Sequence, residues 1–190
     1  MVELKYPFRE EDVRKLRAGE AVRITGVIHT GRDKFHKWFA DGKGIKVDFR
    51  DGALYHCGPV VVKEGDEWKV RAAGPTTSVR ENPYEPAFIA ASGVRLVIGK
   101  GGMDAKTLAA MEKYGAVYIQ AVGGAAAVAA ASVKRVAGVD YLEEFGAAEA
   151  CWHFEVEGFT GVVAMDSHGR SLFAEVAAES ERRMEELVRR

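Results

Sequence analysis

From Pro86 to Val122 strand-like and helix-like stretches alternate, and that order limits the fold more than any other feature. Val94-Arg95-Leu96-Val97-Ile98 has the texture of a short buried strand, and Gly99-Lys100-Gly101-Gly102 breaks it. Asp104 to Tyr114 then reads as a helix, with Asp104 placed to cap it, and Ala116 to Val122 returns to strand character. Strands alternating with helices specify an α/β fold. No internal repeat and no long linker divides the sequence, so residues 1–190 are expected to form a single compact unit.

The flanking segments fit that expectation. Arg9 to Gly19 reads as a short helix stopped by glycine. Val22, Ile24, Gly26 and Ile28 alternate with Arg23, Thr25 and Val27, the period of a strand, and a helix follows over about Asp33 to Ala40. Ile45 to Val62 is strand-rich, broken by Gly52 and Gly58-Pro59, and Glu64-Gly65-Asp66-Glu67 turns a hairpin between Val60-Val61-Val62 and Trp68-Lys69-Val70-Arg71. The small residues Ala125 to Ala131 predict a helix packed close to neighbouring backbone. Trp152 to Val156 and Gly161 to Met165 read as two strands, with a turn at Asp166-Ser167-His168-Gly169. From Ser171 onward Leu172, Phe173, Val176, Ala177, Met184, Leu187 and Val188 recur at helical spacing, giving a C-terminal helix over 171–190.

Composition narrows the function classes. A formal net charge of −1 argues against a nucleic-acid binder that works by bulk electrostatics. No apolar run approaches the roughly 18 residues a membrane span needs, and Met1 to Pro7 lacks the order of a signal peptide. Two cysteines, Cys57 and Cys151, make no disulfide framework, so the cytoplasm is the expected address. His29, His36, His56, His153 and His168 show no metal-ligand spacing. Cys57 reads as a buried small hydrophobe and Trp152 as core.

Three stretches crowd glycine, cations and hydroxyls into expected loops. In Thr30-Gly31-Arg32-Asp33-Lys34-Phe35-His36-Lys37 a strand gives way to a helix, where free N–H groups and the Arg32 fork suit a carboxylate. The alternative is that Asp33 caps the helix while Arg32 and Lys37 are solvated. In Gly74-Pro75-Thr76-Thr77-Ser78-Val79-Arg80 three hydroxyls precede an arginine, a set that donates several hydrogen bonds and one fixed charge. Here the alternative is a hydroxyl used as a helix cap. The third stretch, Val97-Ile98-Gly99-Lys100-Gly101-Gly102-Met103, places Asp104 where a dinucleotide fingerprint needs its last glycine. Its Gly99-Lys100-Gly101-Gly102 also matches the loop of KH-type RNA-binding domains, though the Met103-Asp104-Ala105 continuation is not basic.

Taken in order, these segments together with Tyr55-His56-Cys57-Gly58-Pro59 and Gly123-Gly124-Ala125-Ala126-Ala127 resemble the beta subunit of class I fumarate hydratase. That family includes the beta subunit of L-tartrate dehydratase and the C-terminal domain of single-chain class I fumarases. The likeness runs over about 16–173. Glu81 departs from it, since the family pattern has methionine after the arginine; the residue is expected beside the pocket rather than in it.

The resemblance implies a swivelling β/β/α domain, the Fe–S hydro-lyase beta-type catalytic domain, and the reversible hydration of fumarate to L-malate. L-Tartrate dehydration is the alternative within the family, and KH-like RNA binding is the alternative from another class. It also implies a [4Fe–4S] cluster held by three cysteines of a separate alpha subunit, in an assembly of two alpha and two beta chains, with no nucleic acid or membrane as partner. Clusters of this kind are held by thiolates, and two distant cysteines cannot supply three. Arg32, Arg80 and Lys100 are implied to bind the dicarboxylate substrate. Thr76 is implied as the base, with simple hydrogen bonding to a substrate carboxylate as its competing role.

Overall fold

Apolar side chains alternate so regularly along the central strands that each strand feeds two cores at once. The computed structural model describes residues 1–189. Its strands are β1 (Val2–Lys5), β2 (Ala21–Thr30), β3 (Ala53–Tyr55), β4 (Val60–Glu64), β5 (Glu67–Ala72), β6 (Leu96–Gly99), β7 (Val117–Gln120), β8 (Val133–Asp140) and β9 (Cys151–Met165). Its helices are α1 (Glu10–Val13), α2 (Asp33–Ala40), α3 (Glu85–Ser92), α4 (Ala105–Tyr114), α5 (Ala126–Ala131), α6 (Leu142–Phe145) and α7 (Leu172–Val188), with a 3-10 turn at Ser78–Glu81. The expected α/β architecture is present.

Strand order in the large sheet is β1-β2-β3-β6-β7-β9-β8, and β2 also pairs with β9, so the middle of the sheet closes into a ring. Within it β2, β3, β6 and β7 run parallel, while β9 is antiparallel to both β7 and β2. Ala53 and Tyr55, Leu96 and Ile98, and Val117 and Ile119 face one core with Ile24, Ile28 and Phe154. The intervening Leu54, Val97 and Tyr118 face a second core with Phe35 of α2, Phe88 and Ile89 of α3, and Met111 of α4. Burying one such side chain contributes about 1.5–3 kcal/mol. A slip of one residue would turn whole rows outward, so register is firmly set.

Several boundaries differ from the sequence expectation. Only Glu10–Val13 of the first predicted helix is helical. Beyond it the chain answers to tertiary partners: Ala18 N–H donates to Asp166 and Gly19 N–H to the Val163 carbonyl. Residues 45–50 form no strand, because Phe49 turns into the aromatic cluster with Phe35 and Phe88. The two strands expected over 152–165 are one. Gly161 explains the continuity: a Cβ there would lie 2.4 Å from Ile119 Cγ2 and 3.0 Å from the Gln120 carbonyl, so only glycine lets β9 pass from β2 to β7. Strands β1 and β8 and helix α3 lie outside the expected elements; β1 does alternate, Val2 and Leu4 with Glu3 and Lys5, but over four residues only. Asp104 caps α4 as expected, accepting from Thr107 N–H. Among the described residues no helix is long and apolar enough to cross a membrane.

Candidate active site

The four parallel strands of the ring end on the same side, and the glycine-rich stretches are the loops that leave them. Gly31-Arg32 follows β2, His56-Cys57-Gly58 follows β3, Lys100-Gly101-Gly102 follows β6, and Ala121 to Gly124 follows β7. The carboxyl edge of parallel strands is where α/β sheets hold ligands, since side chains from several strands meet there. Gly101 (φ 84°) and Gly102 (φ 76°) are consecutive left-handed residues, which a side chain would strain.

The Thr76 segment is stitched between the ends of β3 and β6. Thr76 N–H donates to the His56 carbonyl at 2.7 Å, Lys100 N–H to the Thr76 carbonyl at 3.3 Å, and Ser78 N–H to the Lys100 carbonyl at 3.0 Å. Backbone pairing thus brings Thr76 and Lys100 together although they are distant in sequence. The side chains extend the cluster. Arg80 Nη2 donates to Thr76 Oγ1 at 3.0 Å and lies 3.0 Å from Asp33 Oδ2. Arg32 Nη2 stands 3.8 Å from the same Asp33 oxygen and 3.2 Å from Glu149 Oε1. Lys100 Nζ donates to Thr77 Oγ1 at 2.9 Å.

All four expected residues therefore share one connected surface. The threonine hydroxyls go to Arg80 and Lys100 rather than to a cap: Thr77 precedes the 3-10 turn and makes no side-chain cap bond. Asp33 is likewise the first residue of α2, with its carboxylate turned to Arg80. Lys37 does keep the solvated role, paired with Asp41 on the surface. Arg32 does not. Its side chain is only 22% exposed, and its Nε is buried without a hydrogen-bond partner. Gly58 makes that placement possible, since a Cβ there would lie 2.2 Å from Arg32 Nη1.

A fully buried polar layer lies beneath these loops, and spacing gave no hint of it. His36 Nε2 and His56 Nε2 both meet Glu85 Oε2, at 3.0 and 3.2 Å. His36 Nδ1 meets the Arg32 carbonyl at 2.9 Å, and His56 Nδ1 meets Ser78 Oγ at 2.9 Å, which in turn meets Tyr118 Oη at 2.9 Å. Gly99 leaves room for this contact: its Cβ would stand 2.0 Å from Ser78 Oγ. Glu81 belongs to the same layer, beneath the loops that carry the expected site residues. It is fully buried, 3.3 Å from His36 Nδ1, and both its carboxylate oxygens lack a hydrogen-bond partner.

The layer sorts its protons by environment. Burial opposes charge on His36, but its bond to Glu85 and the two nearby carboxylates outweigh that and raise its pKa. Burial would push Glu85 up; hydrogen bonds from both imidazoles outweigh it and hold the carboxyl down at about 2. On His56 burial prevails and lowers the pKa. Glu81, with no donor to its oxygens, is pushed by burial up to about 7.

His36, His56 and Glu85 also have metal-ligand chemistry and lie within 4.8 Å of one another. Here Glu85 Oε2 is hydrogen-bonded to both rings, so the three groups satisfy one another. Cys57 and Cys151 are free and buried, in separate cores, and burial pushes both thiols up. Neutral thiols so placed do not fit an iron–sulfur cluster, which takes thiolates.

The family described as Fumarase C-terminus matches residues 1–176. A protein of Geobacillus stearothermophilus, provisionally named fumarate hydratase class I, is 49% identical over 181 residues, covering 95% of this chain and 35% of that protein. A Methanocaldococcus jannaschii protein, provisionally named L(+)-tartrate dehydratase subunit beta, is 39% identical over 97% of this chain and 99% of its own length. The L(+)-tartrate dehydratase subunit beta of Escherichia coli is 37% identical over 90% of this chain and 86% of that one. The chain thus spans about a third of the Geobacillus protein and nearly all of the Methanocaldococcus subunit.

Proposed function

The chain belongs to the fumarase C-terminus family, and from that membership we propose that it is the beta-type subunit of a cytoplasmic hydro-lyase that interconverts fumarate and L-malate. The observation that carries this reading is the meeting of Arg32, Arg80 and Lys100 around Thr76 on one strand edge. A dicarboxylate is a dianion, and three fixed cations in a half-buried setting match it at both ends.

The chain's own residues then have distinct work. In the dehydrating direction a proton leaves the carbon next to one carboxylate, and its electron pair moves onto that carboxylate. The charge then returns to form the carbon–carbon double bond as the hydroxyl of the neighbouring carbon leaves as water, its proton supplied by an acid of the alpha subunit. Contacts from Arg32, Arg80 and Lys100 strengthen as the charge grows, which is where binding accelerates a reaction. Thr76 is the proposed acceptor of the proton. A hydroxyl oxygen takes that role only if its negative form is stabilised, and the Arg80 N–H aimed at Oγ1 does so.

The site is half of one. Arg80 remains 44% exposed, and Val79, Val122 and Val128 are solvent-facing apolar residues on segments that carry or adjoin the site. A separate alpha subunit covers them in this reading, and it carries the [4Fe–4S] cluster that this chain's thiols do not fit. Two alpha and two beta chains form the assembly. Names of the Methanocaldococcus and Escherichia relatives favour a second substrate, L-tartrate, whose dehydration needs the same cations. The test is co-expression with a cysteine-bearing alpha subunit, followed by anaerobic assays with malate, fumarate and L-tartrate. Turnover of malate and fumarate supports the leading reading, turnover of tartrate alone replaces it with the second, and turnover of none overturns both.

A further inference from the structure

With Glu85 ionised and His56 neutral, the hydrogen bonds of the buried layer fix the place of every proton. The Arg32 carbonyl can only accept, so His36 Nδ1 carries a proton; the Glu85 carboxylate also accepts, so Nε2 carries another. His36 is therefore an imidazolium. His56 gives its Nε2 proton to Glu85, which leaves Nδ1 to accept from the Ser78 hydroxyl, and Ser78 to accept from Tyr118. All donors in this chain point one way, from Tyr118 toward Glu85, and a single oxygen, Oε2, receives both rings.

Each end of the layer is tied to a functional loop. His36 holds the main chain of Arg32, and the His56 carbonyl holds Thr76 N–H at 2.7 Å. We propose that Glu85 is a positioning residue of the dicarboxylate site: by drawing His36 and His56 onto one oxygen it fixes the Arg32 loop against the Thr76 segment. The role rests on the hydro-lyase reading above and deepens it. A buried ion pair adds little stability over apolar side chains of the same volume, so its value here lies in geometry. Glu85 touches no substrate; it sets the spacing between the group that grips a carboxylate and the hydroxyl that receives the proton.

Glu85→Gln tests this in the alpha–beta assembly. Glutamine keeps the size but loses the charge that pairs with the His36 imidazolium. Its amide oxygen can still accept from both rings, and its NH2 group is left buried where Oε1 has no partner. We expect KM for malate to rise and kcat to fall together, with kcat/KM down roughly 10²-fold, the scale of a misplacement near 1 Å. A role in stability alone would lower the melting temperature and the active fraction while leaving KM unchanged, and that result overturns the proposal. Imidazole nitrogen NMR on the wild-type chain supplies a readout that needs no variant to fold. Around His36 the facing groups are Glu81 from the 3-10 turn, Glu85 of α3, His56 beyond β3, Asp33 on its own helix and the stacked ring of Tyr84. We expect both His36 nitrogens to stay protonated above pH 7 and His56 to hold its proton on Nε2. A His36 that titrates at the ordinary imidazole midpoint overturns the proposal. A wild-type assembly that converts no dicarboxylate overturns the hydro-lyase reading instead, whatever the imidazoles do.

Discussion

Arg80 and Thr76 face each other across four residues, with Nη2 3.0 Å from Oγ1, although regular helix does not join them. The 3-10 turn at Ser78–Glu81 folds the arginine back over the threonine, and Asp33 holds its guanidinium from the other side at 3.0 Å. A donor locked onto a hydroxyl oxygen from two directions stabilises negative charge there more than a mobile surface arginine would. Thr76→Val, which keeps shape and removes the hydroxyl, should lower kcat of the assembled enzyme by roughly 10²–10⁴-fold, the range of a lost acid–base group. Thr76→Ser should retain most of the activity. Steady-state kinetics decide it: a change confined to KM would assign Thr76 to substrate binding alone.

Lys100 has a hydroxyl partner, Thr77, and no carboxylate within 4 Å among the described residues. Its charge is therefore free to meet an anion. Lys100→Ala should cost about 10²–10³-fold in kcat/KM, with the melting temperature nearly unchanged because the side chain is only partly buried. Unchanged kcat/KM would remove Lys100 from the site.

Gly58 acts through another residue. A Cβ there would lie 2.2 Å from Arg32 Nη1 and 2.9 Å from the Ala148 carbonyl, and the backbone contact cannot simply swing aside. Gly58→Ala should displace Arg32, raise KM roughly 10-fold or more through loss of a charge-assisted contact, and destabilise the fold by about 1–3 kcal/mol. Kinetics paired with thermal unfolding separate the two effects.

The loops of the site were legible in the sequence because glycine, hydroxyls and cations at strand ends are local signals. The stretches that hold Arg32, Thr76, Arg80 and Lys100 stand out by these signals, and the family resemblance picks the four residues within them. The helix α4 was legible for the same reason, since Asp104 and Gly115 mark both its ends. What was hidden depends on pairing across the fold. Strand β8 shows no alternation because it lies at the sheet edge on β9, where neither face is fully buried. Helix α3 puts Glu85 in the interior, and only the histidines on α2 and beyond β3 make a buried carboxylate there intelligible. No spacing rule links residues 36, 56 and 85, because the contact is made between three separate elements.

Glu81 supplies a test of the buried layer that requires no substrate. In the folded chain burial raises its carboxyl to about 7, against 4.5 as the ordinary value, so between those limits the folded state holds a proton that the unfolded state has released. Stability from this group is thus full below about pH 4.5 and is lost as pH rises toward 7, at up to about 1.4 kcal/mol per pH unit. His29 works in the opposite sense: burial lowers it to about 4, so its contribution is full above 6.5 and fades as pH falls. The two partly cancel in the wild-type curve, so the readout is a difference. Glu81→Gln keeps the shape and cannot ionise, so its stability relative to wild type should improve steadily from about pH 5 to about pH 7 and then level off. Denaturant unfolding at several pH values measures that difference. Parallel curves for the two proteins would mean that Glu81 is not held protonated beneath the site.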